Sequence, residues 1–236
     1  MTTLLIGLAR GMRHGTDPDH LAAIDGLSRL RPRTTNGLYF ALGHGFLVTM
    51  LAVGIGQTVA DRAAFLGPWM LIFIGLVNLV KLFRSSAKPG TLRTIKGPIV
   101  AQPFLLGMLL GAGFETASQF SALILAGEIN PWLLGAVFTG GMALVDGFDG
   151  YLAASTQNLA LTGETNARNT SQLLGVLVVV FSFSLGGAEL RGLDLNRFAL
   201  PLGLTLFALV ISIRLWARSG ERPRLFTSVF TNSPTE

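Results

Sequence analysis

The run His14-Gly15-Thr16-Asp17-Pro18-Asp19-His20 decides how this chain folds and where its chemistry lies. It carries two imidazoles and two carboxylates inside an otherwise apolar stretch, and the third histidine of the chain, His44, also lies in an apolar stretch. Ionisable groups are costly to bury in hydrocarbon unless they are paired or ligated, so such groups at membrane depth mark functional sites. The pattern indicates a metal ion bound within a membrane.

The composition favours a polytopic membrane protein. Half of the 236 residues are hydrophobic and 13% are charged, with a mean hydropathy of +0.55, whereas soluble domains carry about 25% charged residues. The chain has no cysteine, so a metal site would have to use nitrogen and oxygen ligands. The net charge of +5 lies mainly in short loops between apolar segments, so we expect it to set membrane topology and predict no nucleic-acid partner.

The apolar segments predict an all-α fold, a bundle of about seven membrane-spanning helices. A spanning helix needs about 20 mostly apolar residues. The candidates cover about residues 3–29, 35–58, 65–83, 98–126, 131–154, 170–188 and 196–217. Two runs, Leu173–Leu185 and Leu200–Leu215, are nearly purely apolar and are expected to be scaffold helices that face lipid.

The basic residues predict the orientation of the bundle, because Lys and Arg accumulate in cytoplasmic loops. They concentrate after the first segment, after the third segment and in the tail: Arg29, Arg31 and Arg33; Arg84, Lys88, Arg93 and Lys96; Arg218, Arg222 and Arg224. Seven spans with the amino terminus outside and the carboxyl terminus in the cytoplasm satisfy this rule. We expect a single transmembrane transporter domain over residues 1–217 and a cytoplasmic tail over 218–236.

Pro18 predicts a break in the first helix. Proline cannot donate a backbone hydrogen bond to the carbonyl of His14, and its ring crowds that carbonyl. A broken helix in lipid has to line a cavity or pack against protein, where its freed carbonyls can bind an ion. Asp17 then lies on the flank of the two histidines, and the break lets Asp19 turn toward a shared ion or orient a histidine. The alternative is a simple helix start, with Asp17 as the capping residue and Pro18 next.

His44 stands between two glycines in the second apolar segment, and these glycines are expected to leave its imidazole accessible. A lone intramembrane histidine can also serve only to hydrogen-bond across helices. The short connection through Arg31 and Pro32 makes the first two segments antiparallel neighbours. We therefore expect His44 to face the first two histidines.

Two further groups of polar residues lie at membrane depth. The first consists of Glu115, Thr116 and Ser118, and the acid either belongs to an ion pathway or pairs with Arg10 or Arg13. The second consists of Asp146 and Asp149, which are three residues apart and so share one helix face. These two acids either belong to an ion pathway, where they need a cation or protons, or lie at a helix end near water.

Four blocks of this sequence are similar to those of the nickel/cobalt transporter (NiCoT) family of the wider nickel/cobalt permease group. They are Arg13-His14 through Asp19-His20 with the downstream Ile24-Asp25, which resembles the HX4DH signature; Leu42-Gly43-His44, which resembles LGH; Gly113-Phe114-Glu115-Thr116-Ala117, which resembles GFDTA; and Gly141 through Gly150, which resembles GMxLxD-xxDG. Their order and spacing agree over residues 10–150.

The resemblance implies an uptake permease for Ni(II), Co(II) or both. The implied metal ligands are His14, Asp17, Asp19, His20 and His44. The residues implied to line the ion pathway or to orient ligands are Asp25, Glu115, Thr116, Ser118, Asp146 and Asp149.

The chain departs from the family pattern in several places. Family members usually have eight spans with the signature in the second, whereas this chain begins with the signature helix. Glu115 stands where aspartate is usual, Gly45 replaces a small hydroxyl residue, and Gly26 stands where asparagine is common.

We expect a secondary transporter rather than an enzyme, with no cofactor beyond the transported ion. No GxxxxGK[ST] segment is present, so neither nucleotide use nor an ATPase subunit is indicated. The expected partners are a divalent transition-metal ion and the lipid bilayer, with a bacterial inner membrane as the location. Two alternatives are an exporter, which long histidine-rich loops would favour, and an intramembrane metal-dependent hydrolase, which would need an arrangement such as HExxH. The sequence contains neither feature.

Overall fold

The computed structural model of the chain describes residues 2–53, 65–85, 102–113, 130–193 and 196–219. Over these residues the regular elements are all helices, as the all-α prediction requires. They are α1 (Thr2–His14), α2 (Pro18–Leu30), α3 (Asn36–Ala52), α4 (Leu66–Ser85), α5 (Pro103–Gly113), α6 (Pro131–Leu161), α7 (Thr165–Leu190) and α8 (Asn196–Ser219).

The first predicted span consists of two helices, α1 and α2, separated by the three residues before Pro18. Pro18 occupies the first turn of α2, where its missing N–H costs no helical hydrogen bond. Asp17 stands at the capping position, but its side chain makes no capping hydrogen bond. The break and the helix start proposed for this run are therefore the same feature, and the side chain of Asp17 is left to interact with a histidine.

Four helical segments within the described residues are long and apolar enough to cross a membrane. They are Leu66–Phe83, Pro131–Leu161, Thr165–Leu190 and Leu200–Arg218. Several such helices in one chain identify a polytopic helical membrane protein.

The boundary between α6 and α7 corrects the predicted segments, which ended at 154 and resumed at 170. Only three residues separate the two helices. Gly163, with φ of +94°, reverses the chain there, and the N–H of Glu164 donates to the carbonyl of Leu159 at 3.3 Å. This is the hydrogen-bonded C-terminus that glycine favours, because glycine enters the left-handed region without strain. The predicted segments ended where polar residues begin. In the structure those polar residues belong to the two helices, because α6 runs to Leu161 and α7 starts at Thr165.

Helix α2 lies at the centre of the bundle. Every residue from Pro18 to Arg29 is buried, and α2 packs against α6, α7 and α4. A helix buried on all sides carries its polar residues into the protein interior, where they need partners. The polar side chains of α2 therefore face neighbouring helices rather than lipid.

Glycines let the helices around α2 approach closely. A Cβ atom at Gly43 would overlap the backbone carbonyl of Phe104 on α5, and one at Gly141 would overlap that of Leu8 on α1. Small residues at such contacts are typical of helix packing in membranes. These contacts fix α3 against α5 and α1 against α6, and so fix two of the helices that carry histidines.

Candidate metal centre

The three histidines meet at the break between α1 and α2. His14 is the last residue of α1, His20 lies in the first turn of α2, and His44 lies in the middle of α3. One ligand atom from each ring lies within 4.8 Å of the others, and the ring centroids are 4.6 to 5.0 Å apart. His44 thus faces the other two histidines, as expected from the antiparallel connection. We call these three residues the histidine cluster.

Carboxylates orient two of the three rings. His14 Nδ1 lies 2.8 Å from Asp17 Oδ2, and His20 Nδ1 lies 3.0 Å from Asp146 Oδ2. A carboxylate accepts a hydrogen bond, so each Nδ1 carries the proton and each Nε2 presents a lone pair. Carboxylate–histidine pairs of this kind orient metal-binding imidazoles.

The third ring is joined to the first. His14 Nε2 and His44 Nε2 are 3.0 Å apart. Because Nδ1 of His14 donates to Asp17, its Nε2 is the acceptor and Nε2 of His44 is the donor. These two nitrogens share one proton, which a metal ion bound by both nitrogens would displace.

The histidine cluster is closed off from solvent. His20 and His44 are 0% exposed and His14 is 7% exposed. Phe40 packs edge-on against His20 with centroids 5.0 Å apart, and the ring of Phe138 lies 5.8 Å from that of His14. Such apolar walls lower the local dielectric and make any unpaired polar atom costly.

Some polar atoms at the histidine cluster have no hydrogen-bond partner among the described residues. They are His20 Nε2, His44 Nδ1 and Asp19 Oδ2. Buried polar atoms are nearly always paired, so each such atom needs an explanation, and a bound ion is one of them. Imidazole nitrogens with a nearby carboxylate and no sulfur have the composition of a site for a borderline transition-metal ion.

The other predicted ligands and pathway residues have different positions. Asp17 is hydrogen-bonded to His14, and its Oδ1 lies 3.3 Å from Arg13 Nη2. Asp19, the residue before His20, is buried. Arg13, one proposed partner of Glu115, thus lies beside Asp17. Glu115, Thr116 and Ser118 lie outside the described residues.

Asp146 and Asp149 are not at a helix end near water. Both lie inside α6, which runs to Leu161, and both are 0% exposed. Asp146 bonds to His20. Asp149 bonds to Arg214 of α8. Each acid therefore has its own cationic or protonatable partner, which is what two buried carboxylates on one helix face require.

Asp25 belongs to the same group as Asp149 rather than to the histidine cluster. Its Oδ1 accepts from Arg214 Nη2 at 3.1 Å, and its Oδ2 accepts from Arg29 Nε at 2.6 Å. Arg29 also donates to the Oγ of Ser171 on α7 at 3.1 Å. A buried chain of charges thus joins α2, α6, α7 and α8.

Two arginines of this network correct the sequence interpretation. Arg29, expected in a cytoplasmic loop, is a buried residue of α2 that is 8% exposed. Arg214 lies in the run expected to be an apolar scaffold facing lipid, yet it is 1% exposed. An ionisable residue at membrane depth marks a functional or paired site, and this rule applies to Arg214 as it does to the histidines. The charge of Arg214 inside an apolar run is therefore the signal by which the sequence identifies it.

The glycines beside His44 serve packing rather than access to the imidazole. Gly43 abuts the backbone of Phe104, and a Cβ atom at Gly45 would overlap the side chain of Thr139 on α6. The family usually has a small hydroxyl residue where this chain has Gly45. Here the hydroxyl of Thr139 on α6 occupies the space next to Gly45.

Together, the fold and the histidine cluster define a polytopic helical membrane protein with a buried, carboxylate-supported imidazole site. Relatives with similar sequences are all named as nickel transport or incorporation proteins. The nickel incorporation protein HupN of Bradyrhizobium diazoefficiens is 29% identical, covering 86% of this chain and 68% of the relative. The high-affinity nickel transport protein of Cupriavidus necator is 25% identical, covering 84% of this chain and 72% of the relative.

The nickel transporter NicT of Mycobacterium tuberculosis is 26% identical, covering 79% of this chain and 66% of the relative. No family profile matches the chain, and no solved structure matches it. These relatives support the resemblance to the nickel/cobalt transporter (NiCoT) family that the four sequence blocks predicted. The names of these relatives describe transport or incorporation of nickel, in agreement with the prediction of a transporter rather than an enzyme.

Proposed function

We propose that this protein is a secondary uptake permease for Ni(II), Co(II) or both, and that the histidine cluster binds the ion. The main evidence for this proposal is that three buried imidazoles from three helices lie together, with ligand atoms within 4.8 Å of one another. The names of the relatives, which refer to nickel transport or incorporation, support nickel as the substrate. Asp17 and Asp146 orient two of the rings, and we propose Asp19, whose buried Oδ2 has no partner among the described residues, as an oxygen ligand.

The ligand chemistry of the histidine cluster supports a borderline transition-metal ion. Imidazole nitrogen and carboxylate oxygen suit Ni(II) and Co(II), and the chain has no cysteine to supply the thiolate that favours Cu(I). Because the same ligands suit Zn(II), competition between the two ions for the purified protein measures the preference, and Zn(II) bound as tightly as Ni(II) would contradict a nickel site.

The membrane potential is sufficient to drive uptake. Moving a divalent cation inward gains about 4.6 kcal/mol per 100 mV, twice the value for a unit charge. That free energy supports about three decades of accumulation. The protein therefore needs no ATPase subunit for net uptake.

We further propose seven spans, with α1 and α2 forming the interrupted first one. The amino terminus then lies outside, residues 1–217 form a single transmembrane domain, and residues 218–236 form a cytoplasmic tail. Arg31, Arg33 and Arg218 still favour this orientation by the loop-charge rule. A bacterial inner membrane is the location that fits it.

Radiometal uptake tests the proposed function. Cells expressing the intact protein should accumulate ⁶³Ni, and the His20→Ala variant should lose at least nine-tenths of that uptake. Asn78→Ala is a matched control, because Asn78 is buried but bonds to the Ile74 carbonyl of its own helix. Depletion of cellular nickel by the intact protein would indicate export, and no flux in either direction would contradict transport altogether.

A further inference from the structure

Arg214 is the most buried arginine in the described part of the chain, and it is shared by two acids from different helices. It is 1% exposed. Nη2 donates to Asp25 Oδ1 on α2 at 3.1 Å, and Nη1 donates to both Oδ1 and the backbone carbonyl of Asp149 on α6. We call these three residues the arginine bridge.

The arginine bridge lies directly beyond the histidine cluster along two helices. Asp25 follows His20 by five residues on α2, about 7.5 Å along the axis, and Asp149 follows Asp146 by three residues on α6, about 4.5 Å along the axis. His20 and Asp146 are themselves hydrogen-bonded to each other. The interface between α2 and α6 therefore has two successive polar layers, the histidine cluster and then the arginine bridge.

These layers contain most of the buried charge near the site. Of the six aspartate and arginine side chains buried in the described residues, Asp25, Asp149, Arg29 and Arg214 form one connected network. In the topology proposed above, α2 and α6 both run inward, so the arginine bridge lies on the cytoplasmic side of the histidine cluster. An ion leaving the cluster in that direction meets a guanidinium that already occupies both carboxylates.

Helix α8 contacts both polar layers. At one end of α8, a Cβ atom at Gly203 would lie 3.0 Å from the carbonyl of Thr16 and 3.4 Å from Asp17 Oδ1, at the break between α1 and α2. At its other end α8 carries Arg214. Helix α8 therefore contacts both the break beside the histidine cluster and the arginine bridge.

We propose that Arg214 is a tethered cation that closes the inward side of the histidine cluster, and that its withdrawal frees Asp25 and Asp149 as the next site for the transported ion. This inference rests on the proposed function and extends it. The two buried carboxylates need positive partners: Arg29 holds Asp25 Oδ2 throughout, whereas Arg214 holds Asp25 Oδ1 and Asp149 in the closed state and a divalent cation replaces it when α8 moves. The arginine and the ion thus compete for one pair of carboxylates.

Nickel stoichiometry of the purified full-length protein tests the proposal. The intact protein should bind one Ni(II) per chain, and Arg214→Gln should bind two. Arg214→Lys keeps the positive charge and should return the count to one. In the triple variant Arg214→Gln, Asp25→Asn and Asp149→Asn the second Ni(II) should be absent. A folded Arg214→Gln protein that binds one Ni(II) with unchanged affinity, or none, would overturn the proposal.

The triple variant also guards against misfolding of Arg214→Gln, because it removes the arginine together with both of its carboxylate partners, while Arg29 keeps its hydrogen bond to Ser171 and retains an amide oxygen as acceptor at position 25. It should still bind one Ni(II) yet transport ⁶³Ni into proteoliposomes at least tenfold more slowly than the intact protein. Transport by the triple variant at the intact rate would overturn the proposal. His20→Ala, measured alongside, separates the two hypotheses: if it binds nickel like the intact protein, the proposed function fails rather than the role of Arg214.

Discussion

At the level of single residues, the orientation of the histidine rings depends on their carboxylate partners. Asp17 and Asp146 each accept from an Nδ1 atom and so direct an Nε2 atom toward the centre of the histidine cluster. Outer partners of this kind hold the tautomer and the ring orientation. Their contribution should be visible as metal affinity rather than as stability.

Asp146→Asn should weaken Ni(II) binding by about 10- to 100-fold, the usual effect of removing such a partner. The amide has nearly the same shape, but it removes the charge that holds the proton on Nδ1 of His20. Equilibrium dialysis of the purified variant measures the change. Asn78→Ala, which alters a buried polar residue elsewhere, should bind like the intact protein. Equal affinity in the Asp146→Asn variant would show that this carboxylate does not orient His20 for binding.

Acidification should also weaken Ni(II) binding. Imidazole binds metal only without a proton on the donor nitrogen, and the proton shared by His14 and His44 has to leave when the ion enters. Affinity should fall by about tenfold or more between pH 7.5 and pH 5.5, since each displaced proton can contribute up to tenfold per pH unit. Isothermal titration at the two pH values measures this, and an affinity that stays constant would exclude histidine ligation.

At this scale the sequence predicted the histidines and Asp146 because ionisable residues in apolar stretches are conspicuous. It did not predict the partner of each one. The bond between His20 and Asp146 joins residues 126 positions apart, and the pairing of Arg214 with Asp25 spans 189 positions. Such pairings follow from the packing of helices, which local pattern does not contain.

At the scale of the helix, close backbone contact holds the histidine-bearing elements in place. The neighbouring residues Gly140 and Gly141 on α6 give a matched comparison. A Cβ atom at Gly141 would overlap the backbone of α1 at Leu8, whereas one at Gly140 would meet nothing within 4 Å. The two positions share the same helix and nearly the same depth, so they differ mainly in that contact.

Gly141→Ala should lower the free energy of unfolding by about 1–3 kcal/mol, the usual cost of overpacking. Gly140→Ala should leave it unchanged or raise it by up to about 1 kcal/mol, because alanine is the better helix former. Thermal unfolding in detergent, compared between the two variants, measures the difference. Equal melting temperatures would mean that α1 and α6 do not touch at Gly141.

The helices themselves were predicted with different success along the chain. The break at Pro18 was predicted because proline has a fixed steric effect on the preceding turn. The ends of α6 and α7 were not, because hydropathy reports the position of apolar residues and the polar residues from 155 to 169 are mostly helical. The left-handed glycine at position 163 is the local signal that marks the true end of α6.

At the scale of the whole molecule, a central helix places charged side chains where lipid cannot reach them. Helix α2 is surrounded by other helices and carries His20, Asp25 and Arg29 inward. Among the described residues the three rings of the histidine cluster are buried, so we expect helices to move when the ion enters or leaves. Transport and binding are therefore separable properties of the fold.

The proposed topology predicts the location of the carboxyl terminus. A reporter that is active only in the cytoplasm, fused after Glu236, should be active, and a reporter that requires export should not. The physical reason is the excess of Lys and Arg in the loops assigned to the cytoplasm. The opposite result would mean that the bundle has the inverted orientation in the membrane. The arginine bridge would then lie on the outer side of the histidine cluster.

The central claim is that three imidazoles bind one transported ion at the break between α1 and α2. Anomalous scattering at the nickel absorption edge, from crystals of the intact protein soaked in Ni(II), tests it most directly. We expect one peak bounded by His14, His20 and His44, with each donor nitrogen about 2.0–2.1 Å from the ion, the usual metal–imidazole distance. A nickel peak elsewhere in the bundle, with the three rings still bonded to one another, would contradict it.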